Sequence, residues 1–190
     1  TPRTPHPMTH PPPALPRRGG LTARPVPVPC TVRIFGASGD LTPRKLIPAL
    51  HNIAADGELP PGVTVVGFAR RPKTDDEFRK ELEEAARKYS RQEVRDDLWK
   101  SFAESIFYHQ SEFADAAGYK SLAERLDKID AERRTRGNRL FYFATSPDQF
   151  EPILKHLKEA GLKKAGEGSW ARVVVEKPFG TDLASAQELN

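Results

Sequence analysis

"RIFGASGDLTPRKLIPAL", residues 33–50, decides the fold. Apolar, β-branched residues end at Gly36, and helical spacing begins a few positions later. A strand that enters a helix through glycines gathers free backbone N–H groups and the positive end of the helix dipole at one point. That is an arrangement able to hold a dinucleotide pyrophosphate. The glycines here are spaced Gly36-x-x-Gly39, not G-x-G-x-x-G. Gly36 permits the tight turn, Gly39 lets backbone approach a pyrophosphate, and Ser38 adds a hydroxyl. Asp40 would repel a phosphate if it pointed inward, so it is expected to turn outward or to cap the helix. Arg44 and Lys45 follow within one turn, where positive charge reaches a phosphate, an anionic substrate or simply solvent.

Outward from this turn the chain alternates between two periods. "TVRIF" (31–35) reads as the first strand, and "TPRKLIPALHNIAADG" (42–57) as a helix with Leu46, Ile47, Leu50 and Ile53 on its buried face. Pro43 suits a first helical turn, whereas Pro48 predicts a kink. "VTVVGFA" (63–69) is the second strand. A helix capped by Thr74 or Asp75 follows, with Phe78, Leu82, Ala85 and Tyr89 at helical spacing. Val94, Leu98, Trp99 and Phe102 predict another helix, and "IFYHQSEF" (106–113) a short strand. Tyr119, Leu122, Leu126 and Ile129 mark the next helix. "RLFYFAT" (139–145) is a buried strand, and a helix starts at Pro147. "ARVVVEKPFG" (171–180) is a last strand running into a Lys-Pro turn. Strands alternating with helices predict an α/β protein: a Rossmann-type, doubly wound parallel sheet with helices on both faces.

The end of the second strand discriminates between cofactors. NAD-binding folds place Asp or Glu there for the ribose 2′-hydroxyl, and NADP-binding folds place Arg nearby. This strand ends "VVGFARRP" (65–72), with no acid and with Arg70 and Arg71 adjacent. Guanidinium pairs with phosphate through charge-assisted, often bidentate hydrogen bonds, and a carboxylate would exclude a 2′-phosphate. The expected cofactor is NADP.

The remaining composition narrows the partners. Residues 1–29 hold ten of the eighteen prolines, four arginines and no acid. Such a segment cannot build a core and is expected to form a disordered tail, with a transit peptide the sharper alternative. Its +4 equals the formal charge of the whole 190-residue chain, so residues 30–190 give no net-charge argument for nucleic acid. The single cysteine, Cys30, excludes an intrachain disulfide and suits a reducing cytoplasm. No apolar run approaches the ~18 residues of a membrane span. No motif calls for a metal. Residues 30–190 read as one NADP-binding Rossmann domain, and the chain stops at Asn190 within a helical pattern, which points to a piece of a longer protein.

Four stretches together carry a resemblance. "FGASGDLTPRKLIPALHNI" (35–53), "VVGFAR" (65–70), "NRLFYFATSP" (138–147) and "RVVVEKPFGTDLASAQELN" (172–190) resemble the amino-terminal domain of glucose-6-phosphate dehydrogenase, from about Val32 to Asn190. The resemblance implies a Rossmann domain followed by a large α+β domain absent from this chain. It implies oxidation of glucose 6-phosphate at C1 to 6-phosphogluconolactone with reduction of NADP, in the oxidative pentose phosphate pathway. It implies a cytoplasmic, homo-oligomeric parent. Cofactor contacts would fall to Gly36, Ala37, Ser38, Gly39, Asp40, Leu41, Thr42, Arg70 and Lys177, and substrate contacts to Lys45 and Lys177. Glu176-Lys177-Pro178 is similar to the family's hinge between sugar and nicotinamide, and Phe113 and Phe150 to loosely matched cofactor contacts.

Thr42-Pro43 departs from the family's usual Ala-Lys or Ala-Arg. No histidine here sits in the family's catalytic motif, so no catalytic residue is expected within the chain, and the fragment alone is expected to be inactive. Two alternatives stay open. One is a related Glu-Lys-Pro sugar oxidoreductase resembling glucose-fructose oxidoreductase, and the other is a non-catalytic NADP-binding module.

Overall fold

The computed structural model describes residues 27–163 and 166–176. Five strands form one parallel sheet in the order β3-β2-β1-β4-β5. They are β1 (Thr31–Phe35), β2 (Thr64–Ala69), β3 (Ile106–Gln110), β4 (Arg139–Phe143) and β5 (Ala171–Val175). The helices are α1 (Ile47–Ala55), α2 (Asp75–Tyr89), α3 (Asp96–Ala103), α4 (Ala116–Arg133) and α5 (Phe150–Glu159). The expected Rossmann-type α/β architecture is present.

Every residue of β1 and β2 is buried, because helices cover both faces of the central strands. On one face Ile34, Val65 and Ile106 pack with Phe78 and Leu82 of α2 and Trp99 of α3. On the other, Phe35, Phe68 and Phe141 pack with Leu122 and Leu126 of α4 and Ile153 of α5. Burying each such side chain contributes roughly 1.5–3 kcal/mol relative to exposure. The periodicity of α4 is as expected, with Tyr119, Leu122, Leu126 and Ile129 all buried. Helix α2 opens on a full capping box, in which Thr74 and Glu77 satisfy each other's orphan N–H groups.

Two expected faces are corrected. A π-helical turn, Thr42–Leu46, precedes α1, and the buried residues of α1 are Ile47, Pro48 and His51, while Ile53 is 38% exposed. The wide turn adds a residue per revolution and rotates everything after it. It also absorbs Pro48, which lies in the first turn of α1 where its missing N–H costs nothing. In α2 the buried alanine is Ala86, one position after Ala85, and Tyr89 is exposed.

One core residue is out of character. Arg33, on the α4/α5 side of β1, is fully buried, and none of its three guanidinium nitrogens has a hydrogen-bond partner. It lies over the ring of Phe141, 5.0 Å from the centroid.

Candidate cofactor-binding site

The chain builds β1, β2 and β3 in one direction and then returns to lay β4 on the far side of β1. Loops leaving β1 and β4 therefore part in opposite directions, and a crevice opens at the carboxyl ends of the strands. A cleft of about 480 Å³ occupies that place. Gly36, Ser38 and Gly39 line it from the β1 turn, Arg70 and Arg71 from the end of β2, and Glu112 and Phe113 from the end of β3. Thr145, Ser146 and Gln149 line it from the end of β4.

The turn is held from below. The N–H groups of Gly36 and Ala37 both donate to the carbonyl of Phe68, at 2.9 and 3.2 Å, and Gly39 donates to Gly36 at 2.9 Å. Ala37 is buried against β2, where Gly67 makes room: a Cβ on Gly67 would lie 2.9 Å from Ala37 Cβ and 2.6 Å from the Phe78 ring. The amides of Ser38 and Asp40 make no backbone hydrogen bond among the described residues. They are donors at the start of a helical segment, the position where an anion is favoured.

Gly36 adopts φ +83°, and a Cβ there would stand 2.5 Å from the carbonyl oxygen of Ala144. Thr145 Oγ1 is buried and unpartnered at the cleft wall. A glycine cradle, donors at a helix start and an orphaned hydroxyl fit a dinucleotide.

The structure brings Gly36, Ser38, Gly39 and Arg70 together and places the other expected residues differently. Asp40 points outward, 91% exposed, and pairs with Arg44 at 3.7 Å. Ala37 lies beneath the turn with its N–H already spent on Phe68. Leu41 precedes the π-helical turn, and Thr42 is buried within it. Arg44 leans over the ring of Tyr89, 5.3 Å from the centroid. Lys45 is exposed and borders a separate depression with Arg44, Pro48 and Tyr89. Phe113 lines the cleft, but Phe150 is in the core against Phe143, so its expected cofactor contact is corrected. Its helix starts there after a 3-10 turn, which points the ring down onto the sheet. Lys177 lies outside the described residues. Glu176, just before it, accepts a hydrogen bond from the hydroxyl of Tyr142. Burial first, and the Glu176 carboxylate second, push that phenol up to about 12.

The sequence reading assigned no role to Glu112 or to Thr145, Ser146 and Gln149. They reach the cleft because strand order sets the segments after β3 and β4 beside the crevice, and local spacing carries no sign of that.

A family profile described as "Glucose-6-phosphate dehydrogenase, NAD binding domain" matches residues 33–190. The chain belongs to the glucose-6-phosphate dehydrogenase family. Among curated relatives, the glucose-6-phosphate 1-dehydrogenase of Chlamydia muridarum is 46% identical over 165 residues, which cover 85% of this chain and 32% of that protein. The enzyme of the same name from Chlamydia pneumoniae is 44% identical over 174 residues, covering 90% and 34%. A solved glucose-6-phosphate dehydrogenase in complex with glucose 6-phosphate superposes with a TM-score of 0.73 at 32% identity, over 85% of this chain and 33% of that one. The Mycobacterium avium glucose-6-phosphate 1-dehydrogenase gives 0.71 at 30% identity, over 85% and 32%. The chain thus spans about a third of the length of the curated relatives it matches. It is the nicotinamide-cofactor-binding part of a member of this family. Among the described residues no helix is long and apolar enough to cross a membrane.

Proposed function

We propose that this chain supplies the NADP site of an enzyme that oxidises glucose 6-phosphate at C1 to the 6-phosphogluconolactone. The observation that carries the cofactor choice is Arg70. It stands at the carboxyl end of β2 on the wall of the cleft, and that strand end carries no acid. A guanidinium there gives a 2′-phosphate a charge-assisted partner and gives a bare 2′-hydroxyl little. Gly36, Ser38 and Gly39 receive the pyrophosphate, with the Ser38 and Asp40 amides as its donors. NADP when bound is the hydride acceptor. By their place in the family's motifs, Lys45 and Lys177 contact the sugar substrate, and Lys177 contacts the cofactor as well. Their role in this reading is to position the substrate and to neutralise its charge. The same reading makes glucose 6-phosphate the partner molecule of a cytoplasmic, homo-oligomeric parent.

Titration of the chain with NADP and with NAD tests the cofactor half. Losing a charge-assisted pair costs about 1.5–3 kcal/mol. Arg70→Ala should therefore weaken NADP roughly ten- to hundredfold and leave NAD nearly unchanged. Equal loss for both cofactors would remove Arg70 from the 2′-phosphate.

A further inference from the structure

The ends of β2 and β3 are tied together at the cleft. Ser111 N–H donates to the Ala69 carbonyl at 3.1 Å, and Gln110 Nε2 donates to the Arg70 carbonyl at 3.2 Å. The Tyr108 hydroxyl holds the next carbonyl, that of Arg71, at 2.6 Å. The backbone under Arg70 is thereby fixed, and its side chain remains 68% exposed. The acidic group facing it is Glu112, whose Oε2 lies 3.9 Å from Arg70 Nε. Both line the cleft.

In a nucleotide-binding sheet, a carboxylate at the edge of this crevice accepts from a ribose 2′-hydroxyl and repels a 2′-phosphate. Such an acid ordinarily ends the second strand. Here the second strand ends in arginine, and the third delivers a carboxylate to the same edge. One site therefore presents both signals, a cation for the phosphate and an anion for the hydroxyl.

We infer that Glu112 is a specificity-determining residue of the cofactor site, set against Arg70 so that NADP is favoured only moderately and NAD is retained. This rests on the reading of Arg70 as the 2′-phosphate partner. In the free protein the Glu112 carboxylate lies 3.9 Å from Arg70 Nε, beyond hydrogen-bonding distance and with both side chains largely exposed. A 2′-phosphate drawn to the guanidinium therefore comes within a Debye length of the carboxylate and is repelled by it. NAD brings no second charge. Its ribose hydroxyl accepts and donates, and the carboxylate is a ready acceptor for it.

The test is Glu112→Gln, which keeps the shape and removes the charge, titrated with NADP, NAD, 2′,5′-ADP and 5′-AMP by calorimetry. The expected result is NADP and 2′,5′-ADP tighter by about three- to tenfold at low salt, the gain shrinking as salt is raised, with NAD and 5′-AMP unchanged or weaker. Unchanged NADP affinity, or an equal gain for both cofactors, overturns the inference while leaving the cofactor reading intact. If the unaltered chain takes neither NADP nor 2′,5′-ADP, the cofactor reading fails and this inference fails with it. Circular dichroism and the melting temperature of the variant accompany each titration, and both residues are exposed enough that no change in fold is expected.

Discussion

Gly36 lies directly under the carbonyl of Ala144, so close that a Cβ on Gly36 would stand 2.5 Å from that oxygen. The contact joins the turn after β1 to the residue after β4, across the point where the strand order reverses. Gly36 also has φ +83°, a conformation that side chains pay to adopt. Spacing in the sequence suggested the first requirement, a tight turn. The second comes from a strand 108 positions later and is invisible without the fold.

Gly36→Ala is therefore expected to act twice. The left-handed backbone alone costs about 1–2 kcal/mol, and relieving the contact with Ala144 must move the turn. A fall of several degrees in melting temperature and a loss of more than about tenfold in NADP affinity are expected, by thermal unfolding and calorimetry. An alanine variant that keeps wild-type affinity would show that this turn does not hold the pyrophosphate.

Arg33 is expected to be a stability cost. Its acidic neighbours are committed elsewhere: Asp127 and Asp130 pair with Arg139 at 3.5 and 3.6 Å, and Asp130 also accepts from the hydroxyls of Thr31 and Thr135. Burial first, and Arg139 second, push the Arg33 guanidinium down to about 9. Replacing an uncompensated buried charge by an apolar side chain is often stabilising by about 1–4 kcal/mol. Arg33→Leu should raise the melting temperature at pH 7 by roughly 3–10 °C. The sign with pH follows from the depressed value. The folded protein releases this proton more readily than the unfolded chain, so the penalty is full below pH 9 and relaxes as pH rises through it. The gap between variant and wild type should hold steady up to about pH 9 and narrow above it. A gap of constant size, or a less stable variant, would show that the guanidinium is compensated.

Asp75 joins three elements and should be costly to remove. Its Oδ1 accepts from the Tyr108 N–H of β3 at 2.6 Å and from Arg125 of α4 at 2.8 Å, and its Oδ2 lies 2.7 Å from the same guanidinium. Arg125 in turn donates to the Tyr108 carbonyl at 2.5 Å. Asp75→Ala leaves a part-buried guanidinium and a strand N–H without their acceptor, at a cost of about 2–4 kcal/mol. The melting temperature should fall by roughly 5–15 °C, while NADP affinity changes little once the protein is folded. A variant as stable as wild type would reduce the cluster to surface pairing.

The sheet was legible because strands buried on both faces read as near-continuous apolar runs, as "TVRIF" and "VTVVGFA" do, while "RLFYFAT" reads as a strand although only Phe141 and Phe143 of β4 are fully buried. Helix faces were legible throughout α4 and over Phe78 and Leu82 of α2, missed by one position at Ala86 toward the end of α2, and misread in α1, where a π-turn shifts the phase without any marker besides Pro48. The site was half legible. Gly36 and Arg70 announce themselves by residue type at a strand end. Glu112 and Thr145 reach the cleft only because strand order places their strand ends beside it, and strand order is a property of topology that local spacing does not encode.

The start of the folded domain is sharper than composition implies. The proline-rich stretch runs through Pro29, yet the Pro29 carbonyl accepts from Asn138 Nδ2 at 2.9 Å, and the Cys30 carbonyl accepts from the Thr64 N–H at 3.1 Å. Asn138 is itself buried and also takes the Trp170 N–H at 3.2 Å, so it links the start of β1 to the entry into β5. Removing residues 1–26 should leave both melting temperature and NADP affinity unchanged, because that stretch holds too little apolar mass to add to the core. Removing residues 1–29 deletes one acceptor of a buried amide, which costs about 1–3 kcal/mol. It should lower the melting temperature by roughly 2–10 °C with cofactor affinity preserved, since Pro29 is at the opposite end of β1 from Gly36. The two truncations compared by thermal unfolding decide the matter. Equal stability would place the boundary after Pro29, and a loss already present on removing residues 1–26 would mean that the tail packs on the domain.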